Sequence, residues 1–474
     1  MSKQKLPSME KDFAKWYQEV IFQAKLVDQS PVRGCFVIRP YGTSIWENIK
    51  DILDKKIKKT GHKNAIFPLL IPKSFITKEA EHVKGFSPEL AVVTHAGGKE
   101  LEEPLVVRPT SETMVHYMFA KWIKSWRDLP LKINQWANVV RWEMRPRAFL
   151  RTTEFFWQEG HTAHGTAQEA EQEAKMMLQE YVDLAQNYLA VPVVAGLKSE
   201  SEKFPGADKT FTFEALMPDG KAVQMGTSHI ISRNFAKAFG MSYQNREGEL
   251  DYPFLTSWGA TSRLIGAAVM VHGDQKRLIL PPKIAPIQVV IVPILKKDTD
   301  NQAVVDFADQ VKKDLAEECS VFVDYDETKT PGAKFYKWEL KGVPIRIEIG
   351  PRDVQKNKVV VVDRLGESKQ EVLAEDIKKY VVQLLVDMQE KLFERAKQKL
   401  QQNWHSAEKL SQFGKDLADM GGFYQTGWCR NPECEKELKQ YQATIRCLLD
   451  EKEAARCFHC EKDSVSDVLV AKSY

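Results

Sequence analysis

The stretch VVRWEMRPRAFLRTTEFFWQEGH, Val139–His161, decides how this chain folds. It reads as a hairpin. The first strand centres on Arg141-Trp142-Glu143, a loop runs from Met144 through Pro146 to Leu150, and the return strand carries Phe155, Trp157, Glu159 and His161 at every second position. Side chains alternate between the two faces of a strand, so those four share a face, as do Arg141 and Glu143. Rings interleaved with charges suit the floor of a pocket, where rings stack and charges orient. The plainer reading is a half-exposed hairpin with scattered aromatics.

Upstream, helical spacing of Phe13, Trp16, Tyr17, Val20 and Ile21 predicts a helix over 8–28 capped by Ser8. A second helix is predicted over 43–59, with Gly61 ending it. The apolar run 65–71, broken by Pro68, reads as a sheet edge or a bend. Residues 105–112 read as a strand entering a loop and then a helix, with Thr110 or Ser111 placed to cap it.

Downstream, a helix is expected over 167–189 and a strand over 210–217. Asp219-Gly220 makes a hairpin turn into a return strand over 222–230. Gly226 marks a bulge that swings Thr227 and His229 onto the face of Gln224. Residues 257–266 read as a small-residue turn into a helix that carries Arg263. The fold class implied is α+β, an antiparallel sheet backed by helices.

Pro281, Pro282 and Pro286 mark a boundary, after which strands and helices alternate: strands near 288–293, 321–324, 345–349 and 358–362, helices near 301–315 and 332–340, and a long helix over 370–402. That is a separate α/β unit. Expected domains are therefore 1–282, 283–402 and 403–474. The balance of 68 Lys and Arg against 65 Asp and Glu leaves +3, so nucleic-acid binding must rest on local sites and not on bulk charge. No apolar run is long enough to span a membrane, and the first residues lack a signal peptide's apolar core. Seven cysteines, four of them clustered, fit a reducing cytoplasm.

The clustered four are Cys429-x4-Cys434 and Cys457-x2-Cys460, spacing that closes a tetrahedral thiolate shell around a structural Zn²⁺; His459 and Cys447 are possible substitutes. The central region shows no metal-ligand spacing, no trustworthy Ser-His-Asp order and no phosphate-cradling glycine loop. Its separated Arg141 and Arg263 are placed to clamp a triphosphate from two sides, although either alone reads as a surface salt bridge.

With these residues in view, the chain resembles the class II aminoacyl-tRNA synthetases, and within them the prolyl-tRNA synthetases of the archaeal and eukaryotic type. The resemblance runs nearly end to end. The segment reaching Pro68 resembles motif 1, Arg141-Trp142-Glu143 with 151–155 resembles motif 2, and 259–263 (GATSR) resembles motif 3. Two further elements, 108–112 (RPTSE) and 203–208 (KFPGAD), make it specific.

The resemblance implies a class II catalytic sheet, an anticodon-binding α/β domain and a small zinc-binding α+β domain. It implies that ATP and L-proline form prolyl-adenylate with Mg²⁺, and that proline passes to the 3′ end of tRNA(Pro) on a homodimer. Arg141 would hold the α-phosphate and Arg263 the γ-phosphate as the catalytic pair. Glu143, Thr152, Phe155, Gln224, Thr227 and Thr261 complete the ATP site. Proline would sit on Thr110, Glu112, Arg141, Trp157, Glu159, His161, Phe204, His229 and Ser257. In the α/β domain, Glu348 and Arg352 are the candidate anticodon readers, a strand-end ion pair being the other reading.

Residues 162–258 leave no room for the large editing insertion of many bacterial relatives, so misactivation of alanine or cysteine is expected. Relatives usually place Gly where this chain has Arg277, which puts the local turn in question, and their terminal Tyr lies near the active site, as Tyr474 would here. The competing readings are an inactive synthetase-like RNA-binding regulator, which should have lost Arg141, Phe155 or Arg263, and another class II enzyme such as a threonyl or glycyl synthetase.

Overall fold

A computed structural model describes residues 6–76, 90–295 and 300–474. The hairpin opens its largest sheet. Strand Leu131–Val140 pairs antiparallel with Glu154–His164, and outward from the latter follow Phe254–Thr261, Ala222–Ile231, Ala207–Leu216 and Val194–Leu197, each antiparallel to its neighbour. Helix Ala167–Asp183 covers one face, its start closed by a reciprocal cap in which the Thr166 hydroxyl accepts from Glu169 N and the Glu169 carboxylate accepts from Thr166 N. Gln158, Ser228 and Trp258 point toward that helix: Ser228 Oγ donates to Ala174 O at 2.8 Å, and Trp258 meets the Tyr181 ring edge-on. Period two then sends Trp157, Glu159, Thr227, His229, Ser257 and Gly259 to the other face.

The first predicted helix runs only over Phe13–Gln23, and Asp12 caps it in place of Ser8, its Oδ1 accepting from Lys15 N at 2.9 Å. Three further elements differ from expectation. The first strand of the hairpin ends at Val140, so Arg141-Trp142-Glu143 opens the loop. The true strand was obscured by Asn134, Gln135 and Asn138, poor strand formers in isolation. Here their amides are satisfied: Asn134 donates to Asn64 at 2.7 Å and Asn138 to Glu154 at 2.7 Å. Phe254–Thr261 is a central strand and not a turn, its small residues serving cross-strand packing. The Trp258 indole lies where a Gly160 side chain would be, 2.1 Å from an added Cβ, so only glycine fits opposite it. The long helix begins at Ile377, because Lys369–Leu373 is an edge strand.

The α/β unit carries a five-stranded sheet in the order Val321–Val323, Val289–Pro293, Ile345–Ile349, Lys358–Asp363, Lys369–Leu373, parallel at the first two junctions and antiparallel at the last two. Its central run Val289–Val292 is buried on both faces, as expected of a strand covered by helices. Arg277 joins this unit to the N-terminal one. It ion-pairs with Glu339 and lies 4.1 Å over the Tyr336 ring, while Asp274 closes the turn by accepting from Lys276 N and Arg277 N.

The C-terminal strands do not form an isolated sheet. Ala443–Leu448 meets Val194–Leu197 at Leu448 and Leu197, and with Ser466–Lys472, Phe423–Trp428 and Trp404–Ser406, and with Lys63–Asn64 parallel to Leu131–Val140 at the other edge, brings the large sheet to eleven strands. Gly196 permits the approach, since an added Cβ would lie 2.2 Å from Leu448 O. Among the described residues no helix is long and apolar enough to cross a membrane.

Candidate active site

The face turned away from helix Ala167–Asp183 borders a cavity of about 490 Å³, a size suited to a small-molecule substrate. Every residue assigned to proline or ATP from the sequence lines it: Thr110, Glu112, Arg141, Glu143, Thr152, Phe155, Trp157, Glu159, His161, Phe204, Gln224, Thr227, His229, Ser257, Thr261 and Arg263. The bulge expected at Gly226 is present, with Phe213 opposite Gly226 and Glu214 opposite Gln224, so Gln224, Thr227 and His229 share the cavity side.

At the closed end, the Glu159 carboxylate is the hub. It accepts from Ser111 N at 3.1 Å, Thr110 Oγ1 at 3.3 Å and Gln135 Nε2 at 2.8 Å, with His161 Nε2 3.3 Å away. Burial alone would raise its pKa. The His161 side chain and the Ser111 donors more than reverse this and keep Glu159 below the usual carboxylate range. Glu112, fully buried, goes the other way: burial raises its pKa, against the opposing influence of His161 and Ser257. Two neighbouring carboxylates with pKa values pushed apart mark a functional pocket.

His229 is bonded at both nitrogens, by Thr210 Oγ1 at 3.0 Å and Thr227 Oγ1 at 2.9 Å, and burial holds it neutral with a pKa of about 3. The Phe204 ring packs over it, centroids 4.7 Å apart. Rings and the neutral His229 imidazole therefore wall this end, beside the two buried carboxylates.

At the open end, Arg141 donates from Nε to Pro109 O at 2.9 Å and lies 5.5 Å over Phe155 and 5.4 Å over Trp157. The backbone carbonyl and the two rings fix one edge of the guanidinium while the rest faces the cavity. Arg263 is anchored by Leu150 O and Gln224 O, each at 3.0 Å, and burial lowers its pKa to about 10. It remains a cation at neutral pH. Glu143 caps Arg145 N at 2.8 Å and pairs with Arg151, while Thr152 Oγ1 donates to Glu154 O.

Thr210, Lys203 and Arg151 also line the cavity and were not assigned from the sequence. The polar alternation Thr210, Thr212, Glu214 was the available signal for the first. Ser111 sits at the helix N-cap position, yet its hydroxyl accepts from Gln135 Nε2 at 2.8 Å, and it is Thr110 Oγ1 that accepts from Glu112 N at 3.2 Å.

The remaining candidates lie elsewhere. Glu348 is buried at the end of its strand and accepts from Arg346, Nε at 3.0 Å and Nη2 at 2.9 Å, whereas Arg352 is exposed on the short helix Pro351–Gln355. Cys429, Cys434, Cys457 and Cys460 converge, with Cys429 Sγ 3.7 Å from Cys434 Sγ and 3.6 Å from Cys460 Sγ. A tetrahedron of Zn–S bonds of about 2.3 Å has sulfur separations of about 3.8 Å, so the donor set fits zinc and leaves no position for substrate. Backbone N–H donation from Lys462 lowers the Cys460 thiol to about 7, toward the thiolate that ligates.

Three family models match successive parts of the chain: the tRNA synthetase class II core domain (G, H, P, S and T) over 93–272, the anticodon binding domain over 288–384, and the prolyl-tRNA synthetase C-terminal domain over 410–474. The chain is 48% identical to proline--tRNA ligase 2 of Clostridioides difficile over 99% of its own length and 98% of the relative's. It is 49% identical to the proline--tRNA ligase of Natranaerobius thermophilus, covering 98% and 96%. The crystal structure of prolyl-tRNA synthetase from Cryptosporidium parvum complexed with L-proline and AMP superposes with a TM-score of 0.92 at 38% identity, covering 99% of both chains. The same enzyme complexed with halofuginone and AMPPNP superposes at 0.94 and 39% identity, with the same coverage. The chain belongs to the prolyl-tRNA synthetases, class II aminoacyl-tRNA synthetases of the archaeal and eukaryotic type, and is a proline--tRNA ligase.

Proposed function

We propose that both substrates bind in the single cavity below the hairpin, proline at its closed end and ATP at its open end. The observation that carries this reading is the charge arrangement along one face: carboxylates Glu112 and Glu159 at one end, Arg141 between, Arg263 at the other. Proline's secondary ammonium is taken by Glu112 and Thr110, its ring by Trp157, Phe204 and His229, with Glu159, His161 and Ser257 holding that wall. Adenine stacks on Phe155, with Glu143, Thr152, Gln224, Thr227 and Thr261 around the nucleotide. The carboxylate of proline is already ionised at neutral pH, so no general base is needed for its attack on the α-phosphorus. Arg141 neutralises charge building there and Arg263 holds the γ-phosphate, with Mg²⁺ carried by the triphosphate.

Proline then passes to the 3′ end of tRNA(Pro), whose anticodon is read in the α/β unit by Glu348 and Arg352. Reading requires Glu348 to exchange its Arg346 partner for a base edge, and Arg352 is already open to solvent. The units are 1–282, 283–402 and 403–474, acting as a homodimer with Zn²⁺ on the four thiolates. With no editing insertion between the motifs, alanine and cysteine are activated at low rate and not cleared in cis.

Pyrophosphate exchange tests the assignment. Glu112→Gln should raise KM for proline with little change in KM for ATP, and Arg263→Ala the reverse. Arg141→Ala should depress exchange about 10²–10³-fold. An Arg141→Ala enzyme of near wild-type rate would refute the clamp. Rapid deacylation of alanyl-tRNA(Pro) by this chain alone would refute the editing reading.

A further inference from the structure

Behind the amino-acid end of the cavity, three buried groups converge, each with one polar atom that has no hydrogen-bond partner. Glu112 and His116 stand four residues apart on helix Glu112–Trp122 and therefore on one face, a turn apart. His161 reaches the same point from strand Glu154–His164. The three are 2%, 1% and 3% exposed. One ligating atom from each lies within 4.8 Å of the others. Glu112 Oε1, His116 Nδ1 and His161 Nδ1 each lack a hydrogen-bond partner. An unsatisfied buried polar atom costs about 1–3 kcal/mol, so three such atoms within one buried cluster call for a shared occupant.

We propose that Glu112, His116 and His161 bind a divalent transition-metal ion of the Zn²⁺ class, and that this ion and proline exclude one another. Two imidazoles and a carboxylate form the three-ligand set that zinc sites use when a fourth position stays open. The surroundings complete the pattern. His161 turns its other nitrogen, Nε2, to the Glu159 carboxylate at 3.3 Å, the carboxylate–histidine arrangement that orients a metal-binding ring. Edge-on packing of His116 against Phe235 and Phe239, centroids 5.6 and 5.8 Å away, fixes the second ring.

Exclusion rests on the reading of Glu112 as the partner of proline's ammonium. A carboxylate coordinated to a metal at about 2.0–2.2 Å cannot also neutralise that ammonium, and the ion's charge repels it. His116 does not line the cavity, so it is a ligand that can be removed without touching proline's surroundings.

The experiment uses the full-length enzyme. Zinc content after dialysis against nitrilotriacetate-buffered Zn²⁺ should be two equivalents per chain in wild type, one on the four thiolates and one here, and one in His116→Ala. His116→Asn serves if the alanine variant folds poorly, folding being judged by exchange activity without added metal, which should stay within about twofold of wild type. In pyrophosphate exchange, free Zn²⁺ should raise the apparent KM for proline, doubling it at the ion's Kd and raising it roughly elevenfold at ten times Kd, with kcat unchanged. The variant should show no such rise. One equivalent in wild type overturns the site. Two equivalents with an unmoved proline KM overturn the exclusion, and with it the role of Glu112, while leaving the ligand set standing.

Discussion

Glu214 sits at the junction between the catalytic sheet and the C-terminal strands, buried between two cations. Lys198 Nζ lies 2.8 Å from Oε1, and Arg446 from the C-terminal unit donates to Oε2 from Nε at 3.1 Å and Nη2 at 2.8 Å. Glu214, Lys198 and Arg446 are 0%, 7% and 5% exposed. Burial by itself would raise the Glu214 pKa, but the charges of Lys198 and Arg446 hold it below the usual carboxylate range. The group is therefore ionised at neutral pH, and its stabilisation is present above the unfolded carboxylate pKa and lost as pH falls through the folded one.

Glu214→Gln leaves two buried cations facing each other, and breaking a buried pair in this way costs about 3–5 kcal/mol. Arg446→Met leaves the Lys198–Glu214 pair balanced and replaces the guanidinium with apolar volume, so the loss is the unpaired Oε2, about 1–3 kcal/mol. The charge count thus ranks Glu214→Gln as the worse variant, by roughly 2 kcal/mol. Urea and thermal unfolding measure the ranking. Limited proteolysis of the C-terminal unit measures its location, because its strands join the rest of the sheet through little more than the register pair Leu448–Leu197 and the bridge Ser473–Ala222. Catalysis should fall with it, since Ser473 bridges to Ala222 at the start of the strand carrying Gln224, Thr227 and His229. Arg446→Met equal to or worse than Glu214→Gln would refute the charge argument.

Deleting Tyr474 should lower turnover, because its hydroxyl donates to Asp219 Oδ2 at 2.7 Å and its ring lies 5.7 Å from the Arg147 guanidinium of the loop between the hairpin strands; unchanged kinetics would show that the tail only packs. Gly160→Ala forces a methyl into the Trp258 indole, an overpacking cost of about 1–3 kcal/mol. It should raise KM for proline by displacing Glu159 and His161, and Gly160→Ala/Trp258→Leu should recover part of the loss. On acidification, KM for proline should rise through protonation of Glu112, whose pKa is raised above the usual carboxylate range by burial, while Glu159, held below that range, stays ionised. Glu112→Gln should flatten that limb; an undiminished pH response in that variant would count against it. Cys457→Ser, or removal of zinc by chelation, should destabilise the C-terminal unit by several kcal/mol, read as a lower unfolding midpoint.

Period two along Phe155, Trp157, Glu159 and His161 was sufficient to name one side of the cavity, because a strand's geometry leaves a side chain only two directions. Cysteine spacing was sufficient for the thiolate cluster, since two short-range pairs close a tetrahedron with little help from the rest of the chain. The strand Leu131–Val140 was not legible, because its buried amides are acceptable only once Asn64, Glu154 and Glu159 are beside them. The same holds for Phe254–Thr261, whose glycine and alanine read as a turn until Trp157, Trp258 and Gly160 fill the space around them. Local pattern, then, determined on which face of their own element these residues stand, while the roles expected of them came from the family resemblance. Only the tertiary structure decided what those faces meet: that Arg446 crosses to Glu214, that His116 stands behind His161, and that the C-terminal strands continue the catalytic sheet. Each of these is a contact between residues far apart in the chain, and no local periodicity encodes a partner.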